Sequence, residues 1–165
     1  MTIFKDLTNT NQEVLKSLPK FGRLLGIDVG TKRIGIALSD ASRFIATPKL
    51  IINRRSNQKD FSVIENFIKE NEIVAIVIGH PIDMDESIIF MTKFCEEFAQ
   101  NLDLFLGKKL PIFLFEERLT SFEAREINNS KLSRKKNKFV DDIAASLILQ
   151  HFMDILNLIQ ETDLS

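Results

Sequence analysis

Leu24-Leu25-Gly26-Ile27-Asp28-Val29-Gly30-Thr31-Lys32-Arg33-Ile34-Gly35-Ile36-Ala37-Leu38-Ser39 decides how the rest of the chain is read. Two apolar runs flank Gly30-Thr31-Lys32-Arg33, and so short a connection between strand-like runs predicts a β-hairpin. Side chains alternate across a strand, so Leu25, Ile27 and Val29 share one face while Leu24, Gly26 and Asp28 share the other. A carboxylate within an apolar strand is costly to bury alone; it requires a cationic partner, a raised pKa or a metal ion. An ion pair with a residue such as Lys32 is the structural solution, and metal binding the functional one.

Beyond the hairpin, Lys49 to Asn53 predicts a third strand after the Thr47-Pro48 break. The pattern then changes. Asn57 to Asn71 places Phe61, Ile64, Phe67 and Ile68 on one helical stripe, and Ile73 to Ile78 is a continuous apolar run suited to a strand covered on both faces. Ile88 to Phe105 is an amphipathic helix whose stripe includes Cys95, which reads as a small buried thiol. Leu110 to Phe115 predicts a strand, Ser121 to Asn128 a short helix, and Phe139 to about Ile159 a long final helix. The expected fold is α/β, with a mixed five-stranded sheet: three antiparallel strands, then parallel strands, with helices on both faces. Residues 1–20 read as an N-terminal extension with a short helix near Gln12 to Leu18 ended by Pro19, and residues 21–160 as one domain.

Composition narrows the function. The 165 residues carry 22 Lys+Arg against 23 Asp+Glu, with 14 Phe but no Trp or Tyr. A nucleic-acid surface built on Trp or Tyr stacking is excluded, and a net charge of -1 argues against a generally basic surface. The one cysteine rules out an internal disulfide framework. No apolar run approaches the roughly 18–20 residues of a membrane span, so a soluble cytoplasmic protein without membrane association is expected.

Acidic groups concentrate where a sheet would present them. Glu116-Glu117-Arg118 follows the last strand, and ligands of α/β sheets bind at the carboxyl ends of parallel strands. Alternation turns Glu116 and Glu117 to opposite faces without choosing between them. Asp141-Asp142 opens the last helix; Asp141, Ala144, Ala145, Ile148 and Phe152 form one stripe, so geometry favours Asp141 as the inward residue. Just upstream, Lys131, Arg134, Lys135, Lys136 and Lys138 place five positive charges in eight residues. A solvated loop would explain such a run, but positive charge beside an acidic pocket also suits a polyanion whose backbone approaches carboxylates with metal ions between them.

Four segments, Gly26 to Ala37, Gly79-His80-Pro81-Ile82-Asp83-Met84-Asp85, Glu116 to Ser121 and Val140 to Gln150, resemble in order and spacing the YqgF-type family of bacterial proteins. The family is described as Holliday-junction resolvases and as nucleases maturing the 5′ end of precursor 16S ribosomal RNA. The resemblance implies an RNase H-like fold and puts the family's acidic triad, catalytic and metal-binding, on Asp28, Glu117 and Asp141. Departures fall at His80, Asp83, Glu86 and Glu116, where the family usually has an apolar residue, Asn, Gly and Asp; His80 is expected in a turn.

The implied activity is metal-dependent phosphodiester cleavage with Mg²⁺ or Mn²⁺, since crowded carboxylates need hard cations to neutralise them. Lys32 and Arg118 are candidate phosphate contacts, and Arg134, Lys135, Lys136 and Lys138 a backbone clamp. The partner is structured RNA, with a ribosomal precursor particle as its setting, or branched DNA. End-trimming can be done by a monomer, whereas junction resolution needs a homodimer. Two rivals remain. A non-catalytic ribosome-assembly or transcription factor could use the same fold, and Asp28-Val29-Gly30-Thr31 also looks like the phosphate loop of sugar-kinase and actin-like ATPases, which are normally much larger.

Overall fold

The computed structural model describes residues 2–5, 9–82, 86–116 and 137–162, with side chains for all of these except 9–11, 86–88 and 137–142. In chain order the elements there are β1 (Ile3–Phe4), α1 (Asn9–Ser17), β2 (Arg23–Val29), β3 (Arg33–Ser39), β4 (Ala46–Asn53), α2 (Asn57–Asn71), β5 (Ile73–His80), α3 (Glu86–Phe105), β6 (Ile112–Glu116) and α4 (Asn137–Thr162). The short helix expected at 121–128 lies outside the described residues.

One sheet runs in the order β1-β6-β5-β2-β3-β4. The opening hairpin is antiparallel, with Asp28 opposite Gly35 and Val29 opposite Ile34, and β4 continues it antiparallel to β3. On the other side of β2, strands β5 and β6 are parallel to it. This is the expected mixed sheet with one more strand: the N-terminal extension supplies β1, with Ile3 opposite Ile112 and Phe4 opposite Phe113 in parallel register.

The Thr47-Pro48 break does not delay β4, which begins at Ala46. Proline lacks the N–H that a central strand needs, but β4 is the outer strand, and the β3–β4 register shifts between Ile36 and Ala37, where Pro48 pairs.

Alternation sorts the strand side chains into two core layers. Leu25, Ile27 and Val29 join Ile76, Ile78, Ile112 and Leu114 against Phe61 and Ile64 of α2 and Cys95, Phe98 and Leu102 of α3. Leu24, Ala75, Val77 and Phe113 face the other way, against Leu15 of α1 and Ala145, Ile148, Leu149, Phe152, Met153 and Leu156 of α4. Each fully buried Leu, Ile or Phe contributes roughly 1.5–3 kcal/mol relative to exposure. Contrary to the expectation that no apolar run approaches a membrane span, Ile143–Thr162 of α4 is long and apolar enough, at mean hydropathy 1.3, to cross a membrane by length and composition, because charged residues are sparse along it. Its apolar stripe is the one packed on the sheet.

Candidate active site

Asp28 occupies the carboxyl end of β2 and is half-buried. It shares its face with Leu24 and Gly26, the face that α4 covers. At Gly26 the helix lies close: a Cβ there would lie 2.8 Å from Leu149 Cβ and 3.0 Å from the Ala145 carbonyl oxygen. No side chain fits between strand and helix at that point.

The direction of α4 follows from its polar contacts. Gln150 donates to the Phe44 carbonyl at 2.8 Å and accepts from the Ala46 amide at 2.9 Å, while Asn157 donates to the Arg43 carbonyl at 3.1 Å. Those residues sit in the β3–β4 turn and at the start of β4, at the end where Leu24 N donates to Ser39 Oγ at 2.8 Å, so the later part of α4 lies over the start of β2. Its earlier part therefore runs toward Asp28. From the Gly26–Ala145 contact, two strand residues to Asp28 advance about 6.6 Å. Four helical residues back to 141 advance about 6 Å in the same direction. The backbone at 141 is thus carried to the Asp28 end of the sheet; the side chains of Asp141 and Asp142 lie outside the described residues.

The turn after Asp28 is held tightly. Gly30 N donates to the Arg33 carbonyl at 2.8 Å, and a Cβ at Gly30 would lie 2.6 Å from that oxygen. Lys32, in this turn, is exposed.

β5 ends beside β2 and β6 beside β5, and there the register places His80 opposite Glu116. Glu116 continues the alternation of Ile112 and Leu114, which puts it on the α3 face, away from Asp28. Of the two glutamates that the sequence left open, Glu116 is thereby turned from the candidate cleft. Glu117 and Arg118, like Arg134, Lys135, Lys136 and the side chain of Lys138, lie outside the described residues. Among the described residues no group of three His, Cys, Asp or Glu side chains gathers to hold a metal.

His80 is not a turn residue. It closes β5, is 4% exposed, and places Nε2 3.0 Å from Glu96 Oε1 of α3. Lys5 of the extension reaches the same oxygen at 3.3 Å. Burial pushes the Glu96 carboxyl up, but the hydrogen bonds and charges of His80 and Lys5 outweigh it and hold the group below the ordinary carboxylate range. His80 Nδ1 is buried without a hydrogen-bond partner among the described residues. Arg54, which no spacing signal marks in the sequence, places its guanidinium between the Gly30 turn and α2.

A mixed sheet with a helix crossing the carboxyl end of its first long strand, above an aspartate, defines the class as an RNase H-like α/β fold. Solved structures agree on the fold alone. RuvC of Thermus thermophilus, in complex with Holliday junction substrate, aligns with TM-score 0.50 at 11% identity, covering 80% of this chain and 93% of that one. The large terminase nuclease from thermophilic phage G20c aligns with TM-score 0.50 at 12% identity, covering 81% and 83%. Residues 22–155 match the family model described as "RuvX: Holliday junction resolvase", and the chain belongs to that family. Relatives bearing the name "Putative pre-16S rRNA nuclease" include one from Lachnospira eligens, 40% identical over 137 residues and covering 80% of this chain and 96% of the relative. Another, from Crocosphaera subtropica, is 43% identical over 132 residues, covering 79% and 91%. A third, from Wolbachia pipientis, is 38% identical over 151 residues, covering 90% and 96%.

Proposed function

We propose that the protein is a metal-dependent phosphodiester endonuclease that matures the 5′ end of precursor 16S ribosomal RNA, with Asp28, Glu117 and Asp141 as its catalytic carboxylates. The observation that carries the reading is the position of Asp28: at the carboxyl end of β2, under the early part of α4, in a chain of the RuvX family. The relatives' shared name favours ribosomal RNA as substrate.

The donor chemistry fits a hard cation. Asp28 offers a half-buried carboxylate, and three carboxylates converging on one cleft would repel one another without neutralisation. Asp28, Glu117 and Asp141 would hold Mg²⁺ or Mn²⁺. The chemistry such ions supply when bound is Lewis-acid activation of the attacking water and stabilisation of the leaving oxygen. The remaining work belongs to side chains of the chain itself. Lys32, in the turn after Asp28, holds a phosphate near the carboxylates, and Arg118 takes a second. Arg134, Lys135, Lys136 and Lys138 track the backbone, supplying a salt-dependent, sequence-independent share of affinity. The setting is the ribosomal precursor particle in the cytoplasm, and a monomer suffices for trimming one end.

Holliday-junction resolution is the second reading, favoured by the family's own description. It requires two copies acting on one four-way junction. Purified protein offered a 5′-extended precursor 16S fragment and a synthetic four-way junction separates the two, with solution mass measured alongside. Trimming of the RNA only in Mg²⁺ or Mn²⁺ supports the proposal. Cleavage confined to the junction by a dimer would replace it, and robust RNA cleavage in EDTA would sink the metal mechanism.

A further inference from the structure

Arg54 follows β4 directly and converges on the turn that follows Asp28 by two routes. Its main-chain N–H donates to the Lys32 carbonyl at 2.9 Å, and its Nη1 donates to the Gly30 carbonyl at 3.4 Å. The guanidinium is itself fixed. Nη2 donates to Asn57 Oδ1 at 2.8 Å, and Nε lies 3.5 Å from Asp60 Oδ2 on a carboxylate that is wholly buried. Its Cζ stands 5.3 Å from the centroid of Phe94 and 5.4 Å from that of Phe98, both on α3. A planar fork with five donors can serve Gly30, Asn57 and Asp60 while lying over aromatic faces, which a lysine ammonium cannot do.

We propose that Arg54 is a positioning residue for the nuclease reaction: it ties the Gly30–Lys32 turn to α2 and α3 and so holds Asp28 and Lys32 in their working geometry. The inference rests on Asp28 being catalytic. It assigns Arg54 no contact with substrate. Two carbonyls of one four-residue turn are pinned to a single side chain and its own amide, while Gly30 N closes the same turn on Arg33. The turn is thereby braced from the face opposite α4, and the brace reaches within two residues of Asp28.

Arg54→Lys retains a positive charge beside Asp60 but not the fork. The expected result is a kcat about 10-fold lower with KM for the RNA changed less than about 3-fold, and a Tm close to wild type. Independently of activity, trypsin should cut the native protein after Lys32 or Arg33 several-fold faster than it cuts wild type. Should Arg54→Lys fail to fold, the paired variant Arg54→Met with Asp60→Leu removes the buried carboxylate and its partly buried partner together and should give the same kcat loss and the same faster cleavage of the turn. Wild-type kcat in folded Arg54→Lys or in the paired variant, or an unchanged rate of trypsin cleavage after Lys32 and Arg33, would overturn the proposal. Faster cleavage of the turn in protein whose wild type cuts no RNA would instead uphold the brace and remove the nuclease reading beneath it.

Discussion

Replacing Gly26 with alanine asks whether α4 is held as close to β2 as the geometry requires. The added Cβ would lie 2.8 Å from Leu149 Cβ and 3.0 Å from Ala145 O. Carbon atoms rest about 3.5–4.0 Å apart, so strand or helix must yield by roughly 1 Å. Neither neighbour is the free tip of a flexible side chain: one is the root of a buried leucine, the other helical main chain. Overpacking of this kind typically costs about 1–3 kcal/mol. Alanine recovers at most about 1 kcal/mol through its smaller backbone entropy loss. The net loss should be about 1–2 kcal/mol, which lowers Tm by roughly 2–8 °C in a chain of this size. The same displacement carries residue 141 away from Asp28, and a misplacement of about 1 Å can cost on the order of 100-fold in rate. Calorimetric melting together with single-turnover cleavage of a 5′-extended precursor fragment reads both effects at once. A Gly26→Ala protein that melts within about 1 °C of wild type and cleaves at the same rate would refute the close approach of helix to strand.

If Asp28, Glu117 and Asp141 form the proposed triad, Asp28→Asn should abolish Mg²⁺-dependent cleavage while its Tm in EDTA stays at or above the wild-type value, because one of three like charges is removed; a clear drop in Tm would place Asp28 in a structural ion pair instead. Glu96 has a depressed pKa, so its contribution to stability is present above its ordinary value of 4.5 and is lost as pH falls through the lowered one. Glu96→Gln should thus melt lower than wild type at pH 7, by a deficit of about 1 kcal/mol that closes on acidification below that range; a gap constant with pH would refute the pairing with His80 and Lys5. Reversing Arg134, Lys135 and Lys136 to glutamate should weaken RNA binding at low salt and flatten the plot of log affinity against log salt by about 0.7 for each phosphate that is no longer neutralised. An unaltered slope would remove that segment from the substrate path.

Legibility in the sequence tracked how much of each element's reason for existing was local. The β2–β3 hairpin was readable because both strands carry their own alternation around a four-residue turn. The apolar stripe on α4 was readable for the same reason, since Ala145, Ile148 and Phe152 are all buried, while the side chains of Asp141 and Asp142 lie outside the described residues. β1 was invisible: two residues carry no period, and their strand state comes from pairing with Ile112 and Phe113 far along the chain. Pro48 and His80 misled for a related reason. A proline reads as a break until its strand is known to be an edge, and Gly79-His80 reads as a turn until Phe115 and Glu116 are found opposite. Turning Glu116 to the α3 face needed the register of β6, and Glu117 lies outside the described residues. Arg54 needed three dimensions, because Gly30, Asn57, Asp60, Phe94 and Phe98 meet around it from three separate segments.

The pairing of Ile3 with Ile112 also fixes an order of events during synthesis. The segment that borders β6 leaves the ribosome well before β6 and must wait for that strand to emerge before its partner exists. Closing so long a loop for two residues of strand returns little, so this edge should dock last, after the hairpin and the parallel pairs have formed. Until then β6 presents an open row of backbone donors and acceptors, the interval in which a nascent chain is most exposed to pairing with the wrong strand.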